Sequence, residues 1–337
     1  MQIHRVTGKG LRDALERAAK LHGSSALVLA QEKSEDGDVV VSVLPRAESA
    51  VERFARFGFA GDDERDRLAE RTERDRDPAL FDLRQRLRRS GCSKAFTDAV
   101  AARADALRAK GLHPIDGAAA VIGRSVPIAE GPRSHGRSAT IGLVGPEPEL
   151  IRTTAIALGR KLTLAGRRTA LVSFEPHPTP EGDALEDEAL AAGLHVLRGD
   201  DGARIGGRLV EDGDFDVVLV CTTGRTSFDG RQLLRLGGSL RDADRLGSIS
   251  NYLVVPAQRQ RSALDQAWRT CARFKPKGIV AAACDRTREY GPVCELARER
   301  ACGLVFLAGR SADPAQLVRP TKRLVADLLL GGTLPWN

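Results

Sequence analysis

Gly145-Pro146-Glu147-Pro148-Glu149-Leu150-Ile151-Arg152-Thr153-Thr154 joins an apolar run, residues 139–144, to a segment with helical spacing. A strand that turns into a helix is where nucleotide-binding α/β folds place their phosphate loop. The residues here are wrong for that work. Such a loop reads G-x-x-x-x-G-K-[ST]: backbone N–H groups curl around the phosphates, a Lys reaches them, and a hydroxyl holds Mg²⁺. Counting from Gly145, Leu150 stands at the second Gly, Ile151 at the Lys and Arg152 at the hydroxyl. Pro148 removes an N–H donor, and Glu147 and Glu149 put negative charge where a polyanion would lie. One extra loop residue shifts the register and brings Arg152 and Thr153, followed by Thr154, to the Lys and Mg²⁺-hydroxyl positions. Arg binds phosphate in its own geometry.

Outward from this stretch the chain alternates. Strand-like runs at 139–144, 169–174, 195–197, 217–221, 252–255, 278–282 and 304–307 are separated by helical patterns at 151–165, 184–192, 231–240, 263–273, 292–301 and 320–330. Alternation of this kind predicts an α/β domain over 139–330 with a mainly parallel sheet. Ligands of such sheets bind beyond the carboxyl ends of the strands. Upstream, a Gly/Pro/Ser-rich connector at 131–138 follows a helical domain at 78–130. Its apolar stripes are Leu80, Leu83 and Leu87, then Ala95, Phe96, Ala99 and Val100, then 115–122. Residues 46–77 mix both charge signs densely and read as a linker, part solvated helix. Residues 1–45 form a small β-α-β-β module, with Leu11, Leu15, Ala18 and Leu21 at helical spacing.

Composition narrows the class without naming a function. The 337 residues carry a formal charge of +7 and a pI near 9.3, a weak pull toward acidic partners such as anionic lipid or RNA. Six cysteines form no C-x-x-C pair and read as reduced core thiols of a cytoplasmic protein. The start lacks the apolar stretch of a secretion signal, and the apolar runs are too short to span a bilayer. Membrane contact is therefore expected to be peripheral. Arg84, Arg86, Arg88 and Arg89 read as the wet side of a bundle helix. His177 has no second metal ligand at workable spacing. Gly202-Ala203-Arg204-Ile205-Gly206-Gly207 lacks the G-x-G-x-x-G spacing of a dinucleotide loop.

The order of parts resembles the FlhF-type flagellar GTPases, a branch of the signal recognition particle GTPase family, over nearly the whole chain. The opening Met1-Gln2-Ile3-His4-Arg5-Val6 strand, the Leu11-Arg12-Asp13-Ala14-Leu15 helix and Gly23-Ser24-Ser25-Ala26-Leu27-Val28-Leu29 are similar to that family's start. Residues 78–128 resemble its four-helix N domain and 139–330 its G domain. Against the family's G-P-T-G-V-G-K-T-T loop only Gly145, Pro146 and Thr153 survive. Its D-T-Y-R is Glu175-Pro176-His177-Pro178 here, an acid one methylene longer and no Arg. Its D-T-A-G-R is Cys221-Thr222-Thr223-Gly224-Arg225, with a thiol where the metal-organising Asp stands. Its T-K-L-D is Ala282-Ala283-Cys284-Asp285, which keeps the base-reading Asp and loses the Lys. Gly291 and Gly309 match later family glycines, and Arg310 replaces a Gln.

The departures fall on the phosphate, metal, water and base contacts together. The resemblance thus implies a G-domain fold kept with its hydrolysis lost, and no bound cofactor. A remnant site of Gly145, Arg152, Thr153, Thr154, Glu175, Thr223, Gly224, Arg225 and Asp285 is expected. Thr223, Gly224, Arg225 and Asp285 read equally as a tight turn and a helix cap. The implied role is a scaffold in flagellar placement or assembly, cytoplasmic or peripheral at the membrane's inner face, at a cell pole. Expected partners are flagellar base or polar-assembly proteins, a second copy, or a GTPase of the same family, with no specific nucleic acid. The alternative is an active, divergent GTPase that holds GTP and Mg²⁺ with Arg152 and Thr153. An RNA-linked targeting role would need a Met-rich domain, and the chain has a single Met.

Overall fold

The computed structural model describes residues 4–22, 27–33, 38–44, 74, 77–131, 139–175, 180–213, 215–242 and 249–336. Most of the 46–77 stretch, most of the 131–138 connector, and Pro176, His177 and Pro178 lie outside these. The chain divides into two compact units, Met1–Pro78 and Ala79–Asn337.

In the first unit, β1 (His4–Gly8), α1 (Leu11–His22), β2 (Leu27–Lys33) and β3 (Val39–Leu44) make an antiparallel sheet ordered β1-β3-β2 under one helix. The core is Val6, Val41 and Val43 against Ala14 and Ala18. Leu11, Leu15 and Leu21 face solvent instead. The small side chains at Ala14 and Ala18 let the helix lie close to the sheet, and Gly8 meets the Ala14 backbone where a Cβ would not fit.

The second unit begins with α2 (Pro78–Arg89), α3 (Lys94–Arg108) and α4 (Pro114–Ser125). Leu83, Leu87, Phe96, Val100, Ala118 and Ile122 bury their meeting faces. In α3 the inward stripe runs through Phe96, Val100, Ala101 and Ala104, whereas Ala95 and Ala99 are exposed. A fourth helix arrives from the far end of the chain: α11 (Lys322–Leu329) packs on α4.

The α/β part supplies β4 (Ala139–Val144), α5 (Pro148–Leu164), β5 (Thr169–Phe174), α6 (Pro180–Ala191), β6 (His195–Gly199), α7 (Gly202–Glu211) and β7 (Val217–Cys221). It continues with α8 (Thr226–Asp242), β8 (Ser250–Pro256), α9 (Arg261–Cys271), β9 (Gly278–Ala282), α10 (Gly291–Glu299), β10 (Leu304–Ala308) and β11 (Leu317–Val318). The eight strands order β11-β10-β9-β8-β4-β7-β5-β6, all parallel except β11 on β10. This is the expected α/β sheet, with β11 added at its edge. Alternate strand residues feed two cores: Ile141, Leu143, Leu171 and Leu219 face α5, while Val172, Val218 and Val220 face a core continuous with the helical segment.

Residues 202–207 open helix α7, capped by the Asp201 carboxylate accepting from Ala203 N at 3.1 Å. Their glycines serve packing. A Cβ on Gly202 would strike the Gln232 carbonyl, and one on Gly206 the Ser239 side chain, so α7 can press onto α8.

The helical segment is fastened to the sheet by directed bonds. Glu295 in α10 is buried and accepts from Ser93 N at 2.6 Å and from Ser93 Oγ at 2.7 Å. Gly291 N donates to Ser90 O at 2.7 Å, and Ser90 Oγ donates to Leu329 O at 2.8 Å. Arg84 and Arg86 pair with Asp98 and Asp82. Replacing Glu295 with Ala strands the Ser93 N–H, and buried charged hydrogen bonds contribute about 1.5–3 kcal/mol each. Glu295→Ala is therefore expected to lower unfolding stability by about 2–3 kcal/mol in urea titration, with Glu295→Gln losing less; equal stability of all three proteins would rule out this fastening.

Candidate functional site

The carboxyl ends of β4, β5 and β7 converge where the sheet order reverses around β4, the usual ligand position in parallel α/β sheets. Between β4 and α5 lie only three residues, Gly145, Pro146 and Glu147. The helix begins at Pro148, three residues before the start at Ile151 expected from spacing. Proline suits the first helical position because its fixed φ is helical and the N–H it lacks has no intrahelical acceptor there. The segment that would have to curl around phosphates is thus already helix, and its amides point along the helix axis.

The turn is closed from both sides. A Cβ on Gly145 would lie 2.4 Å from the Val254 carbonyl oxygen, so this strand end touches β8. Gly224, at φ +76°, sits against the other side, where a Cβ would lie 3.2 Å from the Pro146 oxygen and 3.4 Å from the Gly145 oxygen. The left-handed conformation favours glycine there. Glu147 accepts from Arg259 at 3.2 and 2.9 Å, and Arg310 stands 3.9 Å from Glu149.

Inside α5 the expected ligands differ in their surroundings, and the buried Thr154 hydroxyl has no hydrogen-bond partner among the described residues. Ile151 and Thr154 are buried, and Thr153 Oγ donates back to the Glu149 and Leu150 carbonyls at 3.1 and 3.3 Å. Arg152 is half-buried. Its charge acts on the buried Cys221 thiol: burial pushes that thiol up to about 12, with Arg152 opposing and Glu175 adding to the rise. A thiol so raised is a poor nucleophile at neutral pH.

Glu175 is spoken for by an arginine that sequence reasoning missed. Arg198 in β6 donates to Glu175 at 2.8 Å, to Asp183 at 2.8 Å and to Glu186 at 3.2 Å. Those bonds hold its guanidinium further up than usual, against the opposing effect of burial. Ser173 Oγ donates to the other Glu175 oxygen at 3.0 Å. Each carboxylate oxygen of Glu175 thus already accepts one hydrogen bond from the protein. The available signal was a charge following Leu197 in an apolar strand.

After β7, Thr222 Oγ donates to Leu143 O at 3.0 Å. Thr223 donates through N and Oγ to Asp229 Oδ1 at 2.9 and 2.8 Å, and its hydroxyl accepts from Arg225 N at 3.2 Å. The Arg225 side chain is exposed. Thr223, Gly224 and Arg225 thus wrap the buried Asp229 as the cap of α8. An acid in the first turn of a helix after a Thr-Gly turn is a legible capping signal. Across the sheet, Asp285 Oδ1 accepts from Arg310 N at 2.8 Å and so ties two loops together. Ala283 before it holds φ +54°, a conformation costly for a residue with a Cβ.

Taken together, the structure gathers Gly145, Arg152, Thr153, Thr154, Glu175, Thr223, Gly224 and Arg225 around one strand end, with Asp285 on a loop farther along the sheet edge. The turn between β4 and α5 is three residues long, shorter than the loop that cradles phosphates in the G-x-x-x-x-G-K-[ST] pattern.

Burial raises the Asp229 carboxyl above its ordinary 3.8, against the Thr223 and Gly224 hydrogen bonds. With the folded value above the unfolded one, the protonated form is favoured by folding, and stability declines as pH rises through the raised value. Asp229→Asn keeps an acceptor without the charge. It is expected to flatten that part of the pH–stability curve, while Asp229→Ala lowers stability by about 1–3 kcal/mol by orphaning the Thr223 donors; a pH curve unchanged in Asp229→Asn would refute the assignment.

No protein-family model and no curated protein matches the chain in sequence. Solved structures do. A chloroplast FtsY from Physcomitrella patens is 18% identical, with 83% of this chain and 92% of that chain covered at a TM-score of 0.63. The signal recognition particle receptor FtsY from Elizabethkingia anophelis in complex with GDP is 17% identical, with 74% and 84% covered at 0.62. FlhF complexed with GTP and Mg²⁺ is 14% identical, with 75% of this chain and 99% of that chain covered at 0.61. The chain therefore has the fold of the signal recognition particle GTPases, FlhF among them.

Proposed function

We propose that this chain is an FlhF-type protein of the signal recognition particle GTPase family that has given up nucleotide turnover and acts as a scaffold in placing or assembling the flagellum. It works in the cytoplasm or peripherally at the inner face of the cell membrane, at a pole. Its partners are flagellar base or polar-assembly proteins, a second copy, or a nucleotide-binding relative.

The observation that carries the non-hydrolysing part is the three-residue turn from β4 to α5, with Gly224 seated on it. A phosphate loop needs several consecutive N–H groups pointing inward, and a turn this short has none to spare. Phosphoryl transfer further needs a metal held by acids and a positioned water. A buried Cys221 stands where the family motif has its metal-organising Asp, and Glu175 is paired with Arg198. The flagellar part rests on the fold, on the module that opens the chain, and on the motif positions that survive. Among the described residues no helix is long and apolar enough to cross a membrane, which agrees with a peripheral association.

Titration of the purified protein with GTP and Mg²⁺ by calorimetry is expected to give no heat up to millimolar nucleotide, with no phosphate released. Micromolar binding with turnover would sink the proposal. If binding appeared and Arg152→Ala abolished it, the divergent active GTPase using Arg152 and Thr153 would take its place. In the native cell, deleting the gene is expected to change flagellar number or position; an unchanged flagellar pattern would remove the flagellar role.

A further inference from the structure

A cleft of about 660 Å³ runs along α8 from Ser227 to Arg241 on the sheet face away from α5. Its floor is Leu233, Ile249 and Phe274. One stripe of α8, with Ser227, Gly230, Arg231, Leu234, Gly237 and Arg241, forms a wall. Leu234 is 74% exposed, the most exposed apolar side chain of α8, and it stands at the middle of that wall. Glycine inside a helix costs about 0.5–1 kcal/mol relative to Ala. Here Gly230 and Gly237 would give a Cβ only ordinary contacts, with Phe274 at 3.7 Å and Ile249 at 3.5 Å. Close packing does not explain them. Their missing side chains keep the cleft open.

The rim is cationic. Arg231, Arg241 and Arg273 line the cleft and are exposed, and none has a carboxylate partner among the described residues. Arg241 donates through Nε to the Gly237 carbonyl at 3.1 Å, which leaves its terminal nitrogens outward. Elsewhere in this unit Arg84, Arg86, Arg198, Arg259 and Arg261 are paired with acids. Ten residues separate Arg231 from Arg241, about 15 Å at 1.5 Å per residue. An occupant must bring apolar side chains to a floor of that length and carboxylates to both ends. An acidic amphipathic helix of about ten to fifteen residues does both. A flat bilayer does not reach a concave floor.

We propose that this cleft docks an acidic amphipathic helix of a partner protein, with apolar side chains over Ile249 and Phe274 and carboxylates on Arg231, Arg241 and Arg273.

The test pans the full chain against displayed helices that carry Leu or Phe at i, i+3, i+4 and i+7 and random residues elsewhere. The selected helices are expected to be enriched in Asp and Glu over Lys and Arg. Synthetic copies are expected to bind the wild type in anisotropy titrations and to weaken at high salt. Arg231→Glu with Arg273→Glu, and separately Leu234→Glu, are expected to weaken them at least tenfold; all three positions are exposed, so circular dichroism stays unchanged. No enrichment, enrichment of neutral or basic helices, or equal binding to the variants would overturn the proposal. So would binding of anionic phosphatidylglycerol vesicles that depends on Arg231 and Arg273 while no helix binds, since the cleft would then belong to a membrane contact.

Discussion

The crowding at the carboxyl end of β4 governs the unit. Val254 and Gly224 close on this turn from opposite sides, and the Val254 carbonyl leaves no room for a side chain at Gly145. Once the turn is confined to three residues, α5 must begin at Pro148. Its inward face then falls on Leu150, Ile151, Ala155 and Leu158, all buried. An apolar helix seated directly on the strand end supplies one of the two cores of the sheet.

A second constraint acts at Glu175. A carboxylate at a strand end with little solvent needs a positive partner, because an unpaired buried charge is strongly destabilising. That partner is the Arg198 guanidinium, itself also paired with Asp183 and Glu186. Asp285 follows the same logic with a backbone partner, the Arg310 N–H. Glu175 and Asp285 are thus bonded within the fold, whereas the buried Thr154 hydroxyl has no hydrogen-bond partner among the described residues.

What the sequence revealed and what it hid separate along physical lines. Parallel strands buried on both faces read as continuous apolar runs, so 139–144, 169–174, 217–221 and 278–282 were legible to the residue. Helix starts were not. Spacing located α5 but set its start at Ile151, because Pro148 reads as a breaker unless it is recognised as a first-turn residue. Helix α7 was invisible because glycines at Gly202 and Gly206 weaken the helical pattern, and only their contact with α8 explains them. In α1 the apolar spacing gave the helix and Ala18 but missed Ala14, and its three leucines are exposed while the two small alanines are buried. At the site, the losses at Leu150, Ile151 and Cys221 could be read directly. Their replacements could not, because Arg198 and Asp229 act through long-range contacts that no local spacing encodes.

The docking of α11 on α4 gives the chain an order of completion in time. The first three helices of the bundle end at Ser125, but the fourth begins at Lys322, so roughly 200 residues of sheet and helix must be synthesised in between. At about 5–20 residues per second, a nascent chain holds the exposed face of α4 for roughly 10–40 seconds before its cover emerges. Throughout that interval Ala118, Val121 and Ile122 lack part of the surface that buries them. The helical segment and the sheet are thereby committed to finishing together, and the window in which the α4 face is open to chaperones or to a wrong neighbour is set by the ribosome.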